Sequence, residues 1–283
     1  MAGTLEESAV FSKVVIVLGA RRTGTTLVAS VLSSDAGAPP FPGEAQLLTR
    51  LVESYSWAKA HFGIGAAPFF DDQPSLLRYF SELVRQFMAH CARQFPGRTT
   101  LVLKCPEMSL CADALFELFP RASYVLCTRD PRDQVTSEWR VLERRQGASD
   151  RAILKSRNFA ALTKNFLRYH DRVLDAARTT GKQVTLLPYE RLVRSPEKVV
   201  VVLEKELGLD LSAFDPGSDW RLADSYWAYG TSPSDTPHYG KPITCARIGA
   251  YTEVLTADES DLVMDLCASL FEKLQYFPGE EPT

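Results

Sequence analysis

The alternation of apolar and polar positions along the 283-residue chain separates two kinds of segment. Short apolar runs rich in β-branched or aromatic residues are predicted to be buried strands, and they lie at residues 14–18, 101–104, 123–129 and 183–189. Longer segments repeat their apolar positions at helical period, and the clearest of these lie at residues 76–91, 110–119, 159–177, 196–207 and 258–274. Strands that alternate with helices indicate a three-layer α/β/α fold with a central parallel sheet.

Two segments break this alternation and are predicted to be lid or acceptor-binding loops. The first, at about residues 60–75, is rich in glycine, proline and phenylalanine, and the second, at about 215–250, combines proline and glycine with tryptophan and tyrosine. Long loops of this kind in a compact domain are usually lids, binding loops or disordered segments, and the aromatic residues here favour the first two. Nothing in the composition marks a domain boundary, so we expect residues 1–283 to form a single domain.

Composition and charge indicate whether the protein binds nucleic acid, spans a membrane or is exported. Hydrophobic residues make up 45% and charged residues 24% of the chain, and the net charge of −3 argues against nonspecific binding to nucleic acid. No window approaches the roughly 20 apolar residues of a membrane span. The first ten residues carry Glu6 and Glu7 and no basic start before an apolar stretch, so no signal peptide is expected. We therefore expect a cytoplasmic protein, whose oligomeric state the sequence leaves open.

The segment after the first predicted strand carries the clearest chemistry. Residues 19–26 read Gly-Ala-Arg-Arg-Thr-Gly-Thr-Thr, which has the spacing of a phosphate-binding loop without the lysine of nucleoside triphosphatases. Because a strand precedes this loop and a helical pattern follows it, the backbone N–H groups and the helix start are predicted to bind phosphate oxygens. The missing lysine favours a ligand that has a 5′ anion but no triphosphate tail, and Arg22 can offer a cation from inside the loop.

A second anion site is predicted where the strand at 123–129 ends. Asp130 is a good N-cap and Pro131 a good first helical residue. Ser137 lies seven residues beyond the cap, two helical turns on, and faces roughly the same way as the strand end. Arg129 and Ser137 can therefore converge on one oxyanion. The alternative is that Arg129 pairs with a carboxylate at the helix start while Ser137 is solvated.

Together these two segments resemble those of sulfotransferases that use 3′-phosphoadenosine 5′-phosphosulfate (PAPS). In that family an R-[ST]-G-T-T loop binds the 5′-phosphosulfate and an R-[DN]-P-x-D-x-x-x-S segment binds the 3′-phosphate, similar to residues 22–26 and 129–137 here. Other segments also resemble the family in the expected order, at residues 103–106, 188–196, 241–243 and 248–251. The resemblance is closer to the bacterial and tyrosylprotein-sulfotransferase-like branch than to cytosolic small-molecule enzymes. It implies a P-loop-type fold, PAPS as donor, adenosine 3′,5′-bisphosphate as product, and no metal.

The resemblance also implies roles for individual residues. Arg22 and Lys104 are placed at the sulfate and the leaving oxygen, and Glu44, in a G-E segment similar to that branch, is the leading candidate for the base. The alternative for Glu44 is that it only favours a helix start electrostatically. Donor contacts are implied for a larger set, which comprises Arg21, Arg22, Thr23, Gly24, Thr25, Thr26, Arg129, Ser137, Tyr189, Lys241, Arg247, Ile248 and Gly249.

The acceptor is expected to be a hydroxyl-bearing small molecule, glycan or lipid that is bulky and partly apolar or glycosidic, as in natural-product tailoring. The side chains expected to bind it are Trp57, His61, Phe62, Trp139 and Trp227. Two other classes of function stay open. A P-loop kinase of small molecules is opposed by the missing lysine, and a noncatalytic nucleotide-binding protein is opposed by the presence of Glu44 and Lys104.

Overall fold

The computed structural model describes residues 11–145, 147–217 and 242–275. Within these ranges four strands form one parallel sheet in the order β2-β1-β3-β4. Their bounds are β1 Lys13–Leu18, β2 Thr100–Lys104, β3 Ser123–Thr128 and β4 Thr185–Pro188. The register is fixed on both sides of β1, where Val15 pairs with Val102 and with Ser123. The prediction of a parallel α/β sheet is confirmed, and all four predicted strands are found within two residues of their predicted ends.

Helices cover both faces of the sheet. In chain order they are α1 Thr25–Leu32, α2 Gln46–Ala60, α3 Gln73–Gln94, α4 Ala112–Leu118, α5 Pro131–Arg145, α6 Ala148–Ser156, α7 Phe159–Thr180, α8 Tyr189–Arg194, α9 Pro196–Leu207 and α10 Ala257–Leu274. Three short helical turns lie between them, at Phe62–Ala66, Pro106–Cys111 and Ala250–Glu253. None of the helices in the described ranges has the length and apolar content needed to cross a membrane.

Successive side chains of β1 point to opposite faces of the sheet, so they enter two separate hydrophobic cores. Ile16 and Leu18 join a cluster that includes side chains of α2, α3, α4 and α7, whereas Val15 and Val17 join a cluster with α1 and α9. All four are at most 1% exposed. A strand buried on both faces is the expected centre of a three-layer fold, and its carboxyl end is where such folds place their ligands.

The segment at residues 60–75 differs from the loop that its composition indicated. α2 continues to Ala60, the turn Phe62–Ala66 is helical, and α3 begins at Gln73 after Asp72, whose carboxylate accepts the Ser75 N–H at 2.7 Å. Helical hydrogen bonding thus reaches into most of the segment despite its glycines. Most of the second predicted loop, residues 218–241, lies outside the described residues. The single domain over 1–283 and the lid roles of both segments stay predictions.

Candidate active site

The ends of the four strands open into one cavity of about 360 Å³. Ligands of open parallel sheets bind at this carboxyl edge. Predicted site residues that line the cavity are Arg21, Arg22, Gly24, Thr25, Thr26, Glu44, Lys104, Arg129, Ser137, Tyr189 and Arg247. The fold therefore brings together residues from four strand ends and from the segment before α10.

The loop between β1 and α1 depends on its glycines. Gly19 has φ +135°, and a Cβ there would lie 2.6 Å from the Cys127 carbonyl oxygen. Gly24 has φ +89°, and a Cβ there would lie 2.8 Å from Cδ2 of Tyr189. Side chains are strained at such φ values and have no room here. α1 begins at Thr25, and because the first N–H groups of a helix have no acceptor inside it, this end of α1 offers donors to an anion.

The predicted anion residues Arg22 and Ser137 meet across the cavity. Arg22 Nε donates to Ser137 Oγ at 3.2 Å, although 115 positions separate them in the chain. Arg22 holds φ +70°, an uncommon conformation for a residue with a side chain. The buried hydroxyl of Thr23 donates to the Ala20 carbonyl at 2.7 Å, so Thr23 shapes the loop from within.

Arg129 is held where β3 ends. Its guanidinium donates to the carbonyls of Arg22 at 3.2 Å and Arg247 at 2.7 Å, and it lies 4.4 Å from the centre of the Tyr189 ring. Arg129 is 6% exposed, and its Nε has no hydrogen-bond partner among the described residues. A buried donor of this kind is costly unless a ligand satisfies it. Arg129 therefore fits an anion in the cavity.

The sequence left open that Arg129 pairs with a carboxylate at the start of α5. In the structure Arg132 makes this pair instead. The carboxylate at the start of α5, Asp130, accepts the backbone N–H of Arg132 at 2.9 Å and its side-chain Nε at 3.0 Å. The Asp130 N–H donates in turn to Glu190 at 2.9 Å. The ion pair at the helix start thus belongs to Arg132, which leaves Arg129 directed at the cavity.

Asp133 joins α5 to the segment that precedes α10. Its carboxylate accepts the backbone N–H groups of Gly249 at 2.8 Å and Tyr251 at 3.0 Å. Burial raises the pKa of Asp133, and the nearby Arg129 acts in the opposite direction. The motif at residues 129–137 includes this residue, but the sequence alone gave it no role of its own. The contact positions Arg247 and Gly249 beside the cavity.

Lys104 and Glu44 form an ion pair in the cavity wall. Lys104, the last residue of β2, is 3% exposed, and its carbonyl accepts the Ala45 N–H at 2.9 Å. Glu44 keeps 29% of its side chain exposed and also accepts from Gln46 Nε2 at 2.8 Å. Two of the three residues predicted to act at the transferred group are therefore in contact, with the carboxylate on the more accessible side.

A second ion pair joins Arg21 and Glu107. Burial opposes ionisation of Glu107, but hydrogen bonds from Cys105 and Arg21 outweigh it and hold its pKa below the ordinary value. Burial raises the pKa of Cys105 to about 12, so this thiol stays protonated. Glu44, Cys105 and Glu107 lie close enough to share a metal ion. In this structure both carboxylates pair with a cation of the protein, Glu44 with Lys104 and Glu107 with Arg21.

Most of the predicted acceptor residues lie away from this cavity. Trp57 is 54% exposed on α2 and stacks on His61 with ring centres 5.0 Å apart, and Phe62 packs beside them against the core; none of the three lines the cavity. Trp139 is buried against Phe159 and donates to Glu143 at 2.8 Å.

Three other residues, Ile248, Lys241 and Trp227, were predicted to contact the donor or the acceptor. Ile248 packs against the core on the α1 side of the sheet, next to the cavity-lining Arg247. Trp227 and Lys241 lie outside the described residues. Acceptor binding through aromatic side chains therefore has no support from the described part of the chain.

The model of the sulfotransferase family matches residues 14–213. No curated protein sequence matches the chain. Among solved structures, the sulfotransferase domain of the Synechococcus PCC 7002 olefin synthase aligns with a TM-score of 0.60 at 20% identity, over 98% of each chain. The sulfotransferase domain from the curacin biosynthetic pathway aligns with a TM-score of 0.58 at 14% identity, over 91% of this chain and 98% of that one.

A sulfotransferase from Mycobacterium avium aligns less closely, with a TM-score of 0.51 at 16% identity, over 96% of this chain and 79% of that one. At these identities the likeness to solved structures concerns the fold. The family model covers well over half of the 283 residues. The chain belongs to the sulfotransferase family.

Proposed function

We propose that the protein transfers the sulfuryl group of PAPS to a hydroxyl group of an acceptor. One observation carries the proposal: separate anion-binding groups at the ends of β1 and β3 line one cavity, which Lys104 and Glu44 also line. PAPS carries a 5′-phosphosulfate and a 3′-phosphate, so its binding needs two anion sites and no site for a triphosphate. The unsatisfied Nε of Arg129 supports this fit.

The proposed donor site divides between the two strand ends. The loop N–H groups, Thr25 and Thr26 bind the 5′ end, and Arg129 with Ser137 binds the 3′-phosphate. Because Arg22 contacts Ser137 directly, its guanidinium lies between the groups proposed to bind the 5′ end and those proposed to bind the 3′-phosphate. Tyr189 stacks against Arg129 and offers a flat apolar surface to the adenine.

In the transfer, the bond between sulfur and the bridging oxygen of the donor breaks while a bond forms between sulfur and the acceptor oxygen. Lys104 neutralises the charge that develops on the leaving oxygen. Glu44 accepts the proton of the acceptor hydroxyl, which its exposed side permits. The ion pair between the two residues orients the carboxylate before the acceptor binds.

Thermal stabilisation tests the donor assignment. We expect adenosine 3′,5′-bisphosphate to raise the melting temperature, and ATP with magnesium to have little effect. The reverse order would favour the small-molecule kinase and sink the sulfotransferase proposal. Binding of the bisphosphate without turnover of PAPS over a broad panel of alcohols and phenols would favour a noncatalytic nucleotide-binding protein.

The acceptor is proposed to be a natural-product intermediate or a glycosidic or lipid molecule. The support is that two structural relatives are domains of an olefin synthase and of the curacin biosynthetic pathway. A screen of candidate hydroxyl compounds with labelled PAPS tests this, and transfer only to simple phenols would contradict it.

A further inference from the structure

The turn Pro106–Cys111, which follows β2, is joined to the loop between β1 and α1 at two points. Glu107 of this turn pairs with the side chain of Arg21. Deeper in the fold, the Ser109 hydroxyl accepts the backbone N–H of Gly19 at 2.9 Å and donates to the Gly19 carbonyl oxygen at 3.5 Å. The first contact joins two side chains, whereas the second joins a side chain to the backbone of the loop.

Ser109 acts on the loop from inside the protein. It is fully buried and does not line the cavity, so any effect on a ligand has to pass through the loop. Its hydroxyl satisfies the N–H of Gly19, and a buried N–H without an acceptor is costly. On another side, a Cβ on Gly19 would lie 2.6 Å from the Cys127 carbonyl oxygen and 2.9 Å from Thr23 Oγ1. These contacts together fix the position of the first residue of the loop.

A displacement of Gly19 passes to the rest of the loop. The carbonyl of the next residue, Ala20, accepts the Thr23 N–H at 3.3 Å and the Thr23 hydroxyl at 2.7 Å. Thr23 is followed by Gly24 and by Thr25, the first residue of α1. The residue that Ser109 holds is therefore connected by one hydrogen-bonded turn to the N–H groups proposed to bind the 5′ end of the donor.

The turn Pro106–Cys111 also follows directly on the residue proposed to act at the leaving oxygen. Lys104 is the last residue of β2 and stands two residues before the turn. Ser109 thus joins the segment that carries Lys104 to the loop proposed to hold the phosphosulfate. Transfer requires both in register, because a misplacement of about 1 Å can cost about 100-fold in rate.

We propose that Ser109 is a positioning residue for sulfuryl transfer. It holds the loop in the conformation that binds the 5′ end of the donor and fixes the loop relative to Lys104. This inference rests on the proposed function, which assigns the 5′ end to the loop. A residue that only stabilised the fold would affect ligands with and without a 5′ anion alike, so the two roles can be separated.

The test measures the affinity of Ser109→Ala for adenosine 5′-phosphate and for adenosine 3′-phosphate by calorimetry. We expect the affinity for the 5′-phosphate to fall about tenfold, because the Gly19 N–H loses its acceptor and the loop relaxes. The affinity for the 3′-phosphate stays as in the wild type, which also shows that the variant is folded. With PAPS and an acceptor found by screening, kcat falls as well, because Lys104 and the loop are no longer held together.

Thr163→Val is the matched control. Thr163 is as fully buried as Ser109, but its hydroxyl donates to the Phe159 carbonyl within α7 at 2.9 Å, and it does not line the cavity. This variant leaves both affinities unchanged. The positioning role is overturned if Ser109→Ala changes the affinity for the 5′-phosphate less than twofold. It is also overturned if both nucleotides lose affinity equally, or if Thr163→Val causes the same loss.

Failure of the wild-type protein to bind either nucleotide has a different meaning. It contradicts the proposed function, and the loop then has no donor for Ser109 to position.

Discussion

The ends of β1 and β3 lie side by side in the sheet, yet the anion sites proposed there are built in different ways. After β1 a tight glycine loop and the N-terminus of α1 face the cavity, so the proposed donors are mainly backbone N–H groups, joined by the side chains of Arg22, Thr25 and Thr26. After β3 they are the side chains of Arg129 and Ser137, which the backbone carbonyls of Arg22 and Arg247 help to orient. We call these two proposed sites the backbone site and the side-chain site.

This difference decides which substitutions can remove each site. A backbone site survives the loss of most side chains but fails when a Cβ is added where none fits. A side-chain site responds to truncation of the side chain or of the contact that orients it. Different substitutions therefore separate the two sites from each other and from the transfer step that both serve.

The largest expected effect comes from Glu44→Gln, which alters neither anion site. We expect kcat to fall by about 10²- to 10⁴-fold because the amide cannot accept the proton. The affinity for adenosine 3′,5′-bisphosphate stays close to that of the wild type. Labelled PAPS and the acceptor found by screening give the rate, and calorimetry gives the affinity.

Glu117→Gln is the control for this variant, because Glu117 pairs with Lys59 in a similar way but does not line the cavity. It leaves kcat unchanged. Full activity of Glu44→Gln would remove Glu44 from the mechanism.

Gly24→Ala tests the backbone site. The new Cβ meets Tyr189 at 2.8 Å at a residue with φ +89°. The loop has to shift, and we expect the affinity for the bisphosphate to fall about 100-fold, which corresponds to about 2.7 kcal/mol. Gly97→Ala is the control, since Gly97 has φ +75° with open space around it. Both variants lose stability from backbone strain, so an equal loss of affinity in both would contradict the account of the loop.

Ser137→Ala tests the side-chain site with a smaller change. Loss of one hydrogen bond to a charged phosphate lowers the affinity for the bisphosphate about tenfold. Adenosine 5′-phosphate, which lacks the 3′ group, binds the variant and the wild type equally. Ser156→Ala on α6 is the control and changes neither affinity, because Ser156 bonds only within its own helix. A similar loss for both nucleotides would show that Ser137 does not contact the 3′ group.

Asp133→Asn has the smallest expected effect, because it acts through position. Asparagine has only one side-chain oxygen, so either the Gly249 N–H or the Tyr251 N–H then faces an NH2 group and loses its acceptor. We expect a loss of about threefold in bisphosphate affinity and of roughly 1 kcal/mol in the free energy of unfolding. Asp72→Asn, at the start of α3 and away from the cavity, changes stability alone. Unchanged affinity in Asp133→Asn would show that the contact of Asp133 with Gly249 and Tyr251 does not affect the donor site.

The strands, and the convergence of the predicted anion-binding residues on one cavity, follow from the sequence because both depend on local patterns. Burial of β1 on two faces requires a continuous apolar run, and the glycines, the cap Asp130 and the first helical residue Pro131 mark the turns that follow β1 and β3. Arg22 and Ser137 lie 115 positions apart, but each is placed by its own strand end. Once the sheet order puts β1 beside β3, their meeting is expected.

Other features depend on contacts that no local pattern shows. Trp139 looked like an acceptor residue, yet it lies on the buried side of α5 against Phe159. The pairing of Glu44 with Lys104 spans 60 positions and needs the docking of α2 against the sheet. Nothing in the local sequence of α5 shows that Arg140, Arg144 and Arg145 line a cavity.

The central claim is that two strand ends hold two ends of one nucleotide. Its most direct test is the affinity of wild-type protein and Arg129→Met for adenosine 3′,5′-bisphosphate and adenosine 5′-phosphate. We predict that the wild type prefers the bisphosphate about 100-fold and that Arg129→Met loses this preference while binding the 5′-phosphate as before. The unchanged 5′-phosphate affinity also shows that the variant is folded. An equal preference in both proteins, or none in the wild type, would contradict the claim.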